Sequence, residues 1–483
     1  MTATDNFHSA LEQAFELGTE AAPTTPDATY RLMPLGQAAD MGRALDGTPL
    51  LDPRIFDTAE FARNPYPYYR IMRDHYPVYH DQLHNSYYVT RYADITACYF
   101  DDEGFNTIPK GMSNGVLGNT QLELSGVEHR RRRNLYGRHL VGQALDKRVP
   151  AIRRLAAEMI ASWSDPSPGA ASGVVVDPAT GKRTIELGKA FANEFPISVV
   201  CQVLGFPDEA RSAFVYWYSS MMLGLGGSAT HQQGLEARQD LEDYVAGLVA
   251  ERRVRPTYLY DDEGNPIDKD IISLLCETKV DGDDLSTEEI TSNIALVVGG
   301  GGETTRGALL NMWYLLLQHP DQFEAVAGDE SLWNAAFHET LRHSTSIGGQ
   351  PRHNTFDIEL HGVRIPAGSL VNMVDVSANH DERVFHDPET FDIFRDDLYS
   401  GKLLRSGYAK GGRCSHMAFG VGPHLCPGAW ISHQESVEGS KILMPHLRHA
   451  RIAVERMPKD EGGRRLAPIG LGSIRELWLD LDP

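Results

Sequence analysis

The chain has 483 residues, of which 41% are hydrophobic, and it carries a formal net charge of -21 at pH 7. This acidic balance argues against a general nucleic-acid-binding protein and against docking on an anionic membrane surface. The five cysteines form no CxxC pair, so we expect no disulfide framework and a reducing, cytoplasmic location. Neither a signal peptide nor an apolar run long enough to cross a bilayer is recognisable, which predicts a soluble protein without a membrane partner.

Residues 1–50 are predicted to form an N-terminal extension, in which ALEQAFELG is a short amphipathic helix and TEAAPTTPDAT a linker. Residues 51–483 are predicted to form one large globular domain. Within it, SYYVTRYADI alternates like a strand before it turns helical. Several long helical patterns follow, and two polar hairpins at residues 174–187 and 258–270 interrupt them. We interpret both hairpins as surface insertions.

The pattern changes after Arg342. The stretch NTFDIELHGVRIPAGSLVNMVDVSAN alternates apolar and polar residues between glycine and proline turns, which predicts a small β region. A loop-rich stretch and a final helix near GAWISHQESVEGSKILMPHL complete the chain. The predicted fold class is therefore mainly α with a small β region (α+β).

Cys426 lies in the loop FGVGPHLCPG, directly before the final predicted helix. A helix N-terminus stabilises a thiolate, and glycines let the backbone approach a flat ligand or turn tightly around a sulfur. The ordinary alternative is a buried cysteine in a glycine-rich turn. However, the spacing of Phe419, Gly422, Cys426 and Gly428 resembles the haem-binding loop of cytochromes P450, F-x-x-G-x-x-x-C-x-G, at every defining position.

This resemblance covers roughly residues 55–483 and implies the cytochrome P450 fold, a single large helical domain around haem b. It implies that Cys426 is the thiolate ligand of the haem iron. The haem-binding residues that it implies in this loop are Phe419, Gly422, His424 and Gly428.

A second motif agrees with the resemblance. FHETLRHS places Glu339 and Arg342 at helical i, i+3 spacing, like the E-x-x-R pair of the family, and Arg395 resembles its third partner. On its own such a pair is most often a surface ion pair of little energetic value. The resemblance implies instead a structural trio whose bidentate bonds brace the haem loop.

The stretch SGVEHRRRRNLYGRHL resembles the helix that carries H-x-x-x-R in bacterial members of the family, here His129 and Arg133. Haem has two propionates, which need cationic or donor partners. The resemblance implies His129, Arg133, Arg352 and His424 for this role, whereas Arg130 and Arg132 also fit a solvated basic run. Arg352 departs from the family pattern because Pro351 stands directly before it, so the backbone path there can differ.

Four glycines interrupt an otherwise apolar helix in ALVVGGGGETTRGALL, and each costs about 1 kcal/mol relative to alanine in a helix interior. A phosphate-binding loop would need a lysine after the glycines, and none follows. Close helix packing would explain the glycines but not the Glu303–Thr304 pair. The stretch resembles the [AG]-G-x-[DE]-T pattern of the P450 helix that crosses the oxygen-binding face of haem.

This second resemblance implies room for dioxygen beside Gly300 and Gly301. It also implies that Thr304 donates a hydrogen bond to the bound oxygen and that Glu303 relays protons from solvent. Gly299 and Gly302 exceed the family pattern. We therefore predict a wide groove near Gly300 or a substrate packed against that backbone, either of which requires a helix that is not regular there. Thr305 is expected to cap or pack locally.

Electrons are expected from separate proteins, a ferredoxin-type or flavodoxin-type donor and its reductase, because no flavin or iron–sulfur module is recognisable after Cys426. The basic residues that flank the expected proximal face suggest a docking site for this acidic partner, and ordinary solvated charge is an equal alternative; they are Lys402, Arg405, Lys410, Arg413, Arg130, Arg131 and Arg132. Pro427 lacks an N–H that could point at the sulfur, which predicts an electron-rich thiolate.

The leading hypothesis is a monooxygenase that inserts one oxygen atom of O2 into a mostly apolar small organic substrate, by hydroxylation or oxidative dealkylation. Residues 103–124 occupy the place of the variable loop over the pocket, and residues 214–234 the place of a lid rich in aromatic and methionine side chains. Two alternatives stay open: a haem-thiolate peroxygenase or isomerase on the same fold, and a non-catalytic haem sensor.

Overall fold

The computed structural model describes residues 51–107, 115–117, 120–141, 143–164, 174–226, 230–260, 264–280, 282–398, 416–458, 464–465 and 472–481. The predicted N-terminal extension lies outside these residues. So do four of the basic residues assigned to partner docking, Lys402, Arg405, Lys410 and Arg413. Within the described part of the chain, every helix is too short or too polar to span a bilayer.

Helices dominate the described residues. Where apolar residues are nearly continuous, as in FPISVVCQVL, the helix is buried on all sides. The α-helices are α1 (Ala59–Arg63), α2 (Tyr66–His75), α3 (Tyr92–Phe100), α4 (Gly126–Tyr136), α5 (Gln143–Asp146), α6 (Val149–Ala161), α7 (Phe195–Leu204), α8 (Arg211–Gly226), α9 (His231–Val254), α10 (Ile271–Glu277), α11 (Thr287–Gly301), α12 (Glu303–Gln318), α13 (Pro320–Gly328), α14 (Trp333–His343), α15 (Asp375–Ala378) and α16 (Ala429–Leu447).

The strands are short. They are β1 (Val78–Asp81), β2 (Ser86–Val89), β3 (Phe105–Asn106), β4 (Val174–Val176), β5 (Arg183–Glu186), β6 (Tyr258–Tyr260), β7 (Pro266–Lys269), β8 (Lys279–Val280), β9 (Asp283–Asp284), β10 (Gln350–Asn354), β11 (Ile358–Leu360), β12 (Val363–Ile365), β13 (Leu370–Met373), β14 (Arg451–Ile452), β15 (Arg464–Arg465), β16 (Gly472–Ser473) and β17 (Trp478–Asp480). The predicted strand–helix transition in SYYVTRYADI corresponds to β2 and α3, and the predicted β region to β10–β13.

The strands assemble into small sheets beside the helical body. The largest has the order β1-β2-β13-β10-β3, in which β2 and β13 are parallel and the other neighbours antiparallel. A second, antiparallel sheet has the order β14-β17-β5-β4. The predicted class, mainly α with a small β region, is confirmed.

The two predicted hairpins have different surroundings. β4 and β5 pair as predicted, but β5 also pairs with β17, and Thr184, Ile185 and Glu186 are buried. The interpretation of residues 174–187 as a surface insertion is therefore wrong for β5, because this strand lies inside the second sheet. β6 and β7 form a two-stranded sheet of their own with mostly half-exposed or exposed residues, as expected of an insertion.

The four-glycine stretch ends one helix and begins the next. α11 starts at a capping box, in which Ser286 Oγ accepts the N–H of Glu289 at 3.1 Å and the Glu289 carboxylate accepts the N–H of Ser286 at 3.0 Å. α11 ends at Gly301 and α12 begins at Glu303, so the helical path breaks at Gly302, whose φ is -89° and ψ -77°. The helix is therefore not regular at the glycines. This irregularity is what the predicted groove near Gly300 requires.

Candidate active site

The loop around Cys426 is shaped by two glycines with positive φ. Gly420 has φ 66° and Gly422 has φ 74°, a region that strongly favours glycine. A Cβ on Gly422 would also lie 2.9 Å from the Tyr99 carbonyl oxygen of α3. The tight turn lets the N–H of Cys426 donate to the Phe419 carbonyl at 2.9 Å. The thiol is thereby fixed a few residues before α16, as the sequence predicted.

The surroundings of the Cys426 thiol favour its deprotonation only in part. Burial raises the pKa of Cys426, whereas the backbone N–H groups of Gly428 and Ala429 and the charge of Arg133 lower it. Those two amides belong to the cap and the first residue of α16, the helix end that favours negative charge. Pro427 supplies no such N–H, and the electron-rich thiolate expected from this stays a prediction.

The four residues expected to bind propionates lie close to one another. His129 of α4 stacks on His424 with ring centroids 3.8 Å apart, and burial and the charges of Arg133 and Arg352 lower the pKa of His129 to about 4. Burial, followed by His129 and Arg352, lowers the pKa of His424 to about 3. Both imidazoles are therefore neutral near pH 7, and a carboxylate placed beside them would raise both pKa values.

His424 also contacts Asp102, whose Oδ1 lies 3.2 Å from His424 Nε2. A neutral His424 that donates from Nε2 leaves Nδ1 without a proton. His424 can thus donate to a second carboxylate only after it gains a proton, so its assignment as a propionate ligand depends on that protonation.

Arg352 lies on β10 in regular antiparallel register with β13, where Pro351 pairs with Asn372 and Arg352 with Val371. The proline therefore does not distort the strand. The Arg352 guanidinium is buried, lies 5.0 Å from the Tyr99 ring centroid and donates to the Pro351 carbonyl at 2.8 Å. Tyr99 is in turn held by Asp375, whose two carboxylate oxygens each accept from its hydroxyl at 2.9 Å.

The donor set fits an iron porphyrin. Among the described residues no carboxylate forms an ion pair with Arg133 or Arg352, and Nδ1 of the buried His129 has no hydrogen-bond partner. Buried cations without an anion are costly, and the two propionates of haem would offset that cost. One thiol and a cluster of cationic and imidazole groups are the contacts that a thiolate-ligated haem requires.

Each of the four glycines has a different neighbour. A Cβ on Gly299 would lie 2.8 Å from Leu117 Cδ2 and 3.2 Å from Met222 Cε, so one residue of the predicted variable loop and one of the predicted lid contact α11 here. A Cβ on Gly301 would lie 2.6 Å from Val200 Cγ2 of α7, and one on Gly302 would lie 2.6 Å from Tyr218 Cζ of α8. A Cβ on Gly300 would meet nothing within 4 Å. Of the four, Gly300 is the one that borders open space, where the groove was predicted.

Thr304 and Glu303 point to different partners. The Thr304 hydroxyl donates to the Gly300 carbonyl at 3.0 Å and is half-exposed, beside the open space. Glu303 is buried, and its Oε1 accepts from Arg306 Nη1 at 2.9 Å. Burial raises the pKa of Glu303, while Arg306 and then the Ser473 hydroxyl act in the opposite direction. The Thr305 hydroxyl donates to Ser432 of α16 at 3.1 Å, so it packs between helices rather than capping its own.

Arg306 was not singled out from the sequence, although it stands at i+3 from Glu303 and could have been found by that spacing. Its guanidinium donates to Asn193 Oδ1 at 2.5 Å and to the backbone carbonyls of Ile474 and Arg475. Arg306 thus ties Glu303 to the C-terminal region. Asn193 gives no sequence signal, because only the fold brings it to α12.

The predicted structural trio is assembled. Arg342 Nε and Nη2 donate to the two oxygens of Glu339, each at 2.7 Å, and Arg395 Nε lies 3.1 Å from Glu339 Oε2. All three side chains are buried. Arg342 also donates to the carbonyls of Asn379, Pro388 and Thr390, so this guanidinium fixes the backbone at three points between residues 379 and 390.

The basic run on α4 is only partly free for a partner protein. Arg131 and Arg132 both bond Glu128, at 2.9 Å and 3.1 Å, while Arg130 is exposed. The ordinary alternative, solvated or locally paired charge, accounts for two of these three arginines.

Comparisons with known proteins show which family this chain resembles. The sequence model of the family described as Cytochrome P450 matches residues 212–329 and 331–452. A pulcherriminic acid synthase of Bacillus subtilis (strain 168) is 27% identical over 422 residues, 85% of this chain and 95% of that protein. A vitamin D(3) 25-hydroxylase of Pseudonocardia autotrophica is 28% identical over 424 residues, 86% and 90% of the two chains. The solved structure of cytochrome P450 CYP109Q5 from Chondromyces apiculatus has a TM-score of 0.71 at 25% identity and covers 89% of this chain and 97% of its own.

Proposed function

This chain belongs to the cytochrome P450 family and is an oxidoreductase of that family, and we propose that it inserts one oxygen atom of O2 into a mostly apolar small organic substrate. Membership implies a haem with cysteine-ligated iron, and we assign haem b as the cofactor, Cys426 as the ligand and residues 51–483 as the catalytic domain. When bound, the haem supplies the iron at which dioxygen is activated. The reaction consumes R–H, O2, two electrons and two protons and yields R–OH and H2O.

One observation carries this proposal. The Cys426 thiol lies at the start of α16 with the N–H groups of Gly428 and Ala429 directed at it. Nearby stand Arg133 and Arg352 without a carboxylate partner among the described residues, and His129 with an unbonded Nδ1. A core cysteine kept only for packing would not need these groups.

The residues of α11 and α12 support the proton chemistry of a monooxygenase. The Gly300 carbonyl and the Thr304 hydroxyl border the open space and together can hold a water or a ligand hydroxyl there. Glu303 stands directly before Thr304 in the sequence, and burial raises its pKa, which suits a group that takes up and releases a proton. These residues favour oxygen insertion over the peroxygenase and isomerase alternatives, which need no such pair.

The surroundings of Gly300 favour an apolar substrate. Leu117 and Met222 meet above Gly299, and Val116 lies beside Gly224 and Gly234, where α8 and α9 approach each other closely. Methionine and leucine side chains adapt to varied apolar ligands. Relatives carry names that refer to pulcherriminic acid and to vitamin D(3), and these names describe those proteins alone.

We further propose that the electrons come from a ferredoxin-type or flavodoxin-type protein and its reductase in the cytoplasm. Arg130 is exposed on α4, the helix whose Arg133 acts on the Cys426 thiol, and this supports charge-guided docking. Reduction of the haem protein by such a donor should slow as ionic strength rises. A reduction rate that ignores ionic strength would contradict docking by charge.

The experiment that tests the ligand is the CO-difference spectrum of the reduced, haem-loaded protein. We expect the red-shifted Soret band of a thiolate-ligated haem, its loss in Cys426→His and its retention in the matched control Cys276→Ser, which alters another half-buried free thiol. A red-shifted band that survives in Cys426→His would refute the assignment. A screen of apolar compounds for spin-state shifts then identifies substrates; turnover with peroxide but none with redox partners would favour a peroxygenase instead.

A further inference from the structure

Tyr218 of α8 fills the break between α11 and α12. Its side chain is fully buried, and a Cβ on Gly302 would lie 2.6 Å from its Cζ and 2.9 Å from its hydroxyl oxygen. Such distances are not possible for a larger residue at position 302 unless the ring moves. Gly302, which the family pattern does not require, and the Tyr218 ring therefore fit together in one contact.

The Tyr218 hydroxyl also replaces a backbone acceptor. The N–H of Glu303 donates to this hydroxyl at 2.6 Å, whereas in a regular helix it would donate to the carbonyl of Gly299, four residues earlier. The next hydrogen bonds belong to the new helix, since the N–H of Arg306 donates to the Gly302 carbonyl at 3.0 Å. A buried N–H without an acceptor is costly, so a break at this position needs a side chain or a water to receive it.

α8 contacts the glycine stretch between α11 and α12 on both sides of the open space beside Gly300. Met222 follows Tyr218 by one helical turn, and the two side chains lie on the same face of α8. Met222 Cε reaches Gly299, and the Tyr218 ring reaches Gly302. Gly300, which borders the open space, lies between these two contacts. A ligand that enters beside Gly300 therefore lies beneath a helix that also bonds the backbone of Glu303.

We propose that Tyr218 is a positioning residue that holds the break between α11 and α12 open and couples the lid helix α8 to Glu303 and Thr304. The phenol keeps its proton at neutral pH because burial, then the nearby Glu303, raises its pKa. It therefore acts on the Glu303 N–H as a neutral acceptor. When a substrate displaces α8, the hydrogen bond moves the start of α12 with it and so sets where Glu303 and Thr304 stand.

The test separates the hydroxyl from the ring. Tyr218→Phe keeps the ring beside Gly302 and removes the acceptor, while the control Tyr68→Phe removes a buried tyrosine hydroxyl that bonds Glu60 at 3.0 Å on a distant helix. Hydrogen exchange of the haem-loaded protein is read residue by residue with fragmentation mass spectrometry. We expect the Glu303 amide to exchange about tenfold faster or more in Tyr218→Phe and at the wild-type rate in Tyr68→Phe. Unchanged exchange at Glu303 in Tyr218→Phe would overturn the proposal.

The catalytic part of the proposal rests on the proposed function and has its own readout. With the compound that gives the largest spin-state shift, Tyr218→Phe should lower kcat about tenfold and leave KM within about twofold, because the substrate contacts are retained. Wild-type kcat in Tyr218→Phe would overturn the coupling to proton delivery. A wild-type protein without turnover would instead refute the proposed function and leave the hydrogen-exchange result standing.

Discussion

Alanine substitutions at the four consecutive glycines should have unequal effects on stability. Alanine is favoured over glycine in a helix by about 1 kcal/mol. At Gly300 nothing opposes this gain, since a Cβ there meets no atom within 4 Å. Gly300→Ala should therefore raise the free energy of unfolding by about 1 kcal/mol. At Gly299 the new Cβ meets the flexible ends of Leu117 and Met222, so Gly299→Ala should be close to neutral.

The other two positions should behave in the opposite way. Val200 is stiff at χ1 and the Tyr218 ring is held by its hydrogen bond, so a Cβ at 2.6 Å from either must displace packed atoms. Overpacking of this kind costs about 1–3 kcal/mol, which exceeds the helical gain. Gly301→Ala and Gly302→Ala should therefore lose stability.

Urea unfolding followed by circular dichroism measures the series, with the wild type and all four variants prepared as haem-free protein. The expected order of stability is Gly300→Ala, then Gly299→Ala, then Gly301→Ala and Gly302→Ala together. Equal losses of stability in Gly300→Ala and Gly302→Ala would refute the reasoning. They would mean that both positions need glycine because of their backbone conformation and not because of the side chains that contact them.

Three further predictions concern the other half of the site. Glu339→Gln should lower stability by about 3–5 kcal/mol, because it leaves the buried guanidinium of Arg342 without its anion; the exposed-pair control Glu324→Gln should cost less than about 1 kcal/mol, and equal losses in urea unfolding would contradict this. In the haem-free protein, His129 should contribute a loss of up to about 3 kcal/mol of stability as pH falls from 6.5 to 4, since its folded-state pKa, about 4, lies below its unfolded value and only the unfolded chain gains this proton over that range. His129→Asn should flatten this pH dependence of the urea midpoint, and an unchanged slope would count against it. Pro427→Leu should raise the haem reduction potential, on the order of tens of millivolts, because it adds an N–H next to a sulfur that the Gly428 and Ala429 amides already approach. An unchanged potential in spectroelectrochemical titration would contradict this prediction.

The loop around Cys426 was predictable because its requirements are local. The positive φ of Gly420 and Gly422 needs glycine, and the sulfur must stand close to the start of a helix. Both conditions therefore require particular residue types at fixed spacing within ten residues of the sequence. The i, i+3 pair Glu339–Arg342 was predictable for the same reason, since one helical turn brings the two side chains together.

The error at residues 174–187 has a physical cause as well. The polar turn and the alternating arms predict a hairpin correctly, but they do not reveal that β17, almost 300 residues later, covers β5. Strand pairing at long range depends on backbone hydrogen bonds, which are the same for every residue type except proline. The sequence of one strand therefore does not identify its partner.

By itself, the sequence determined the family, and it predicted the Cys426 loop, the roles of Glu303 and Thr304 and an irregular helix at the glycines. Each of these depends on neighbours within a few helical turns. Only the tertiary structure decided what each glycine is for. Leu117, Val200 and Tyr218 reach the stretch from three different segments, and Gly300 alone of the four is left facing open space. Packing between distant segments sets these contacts, and no local pattern of residues encodes which side chain will arrive.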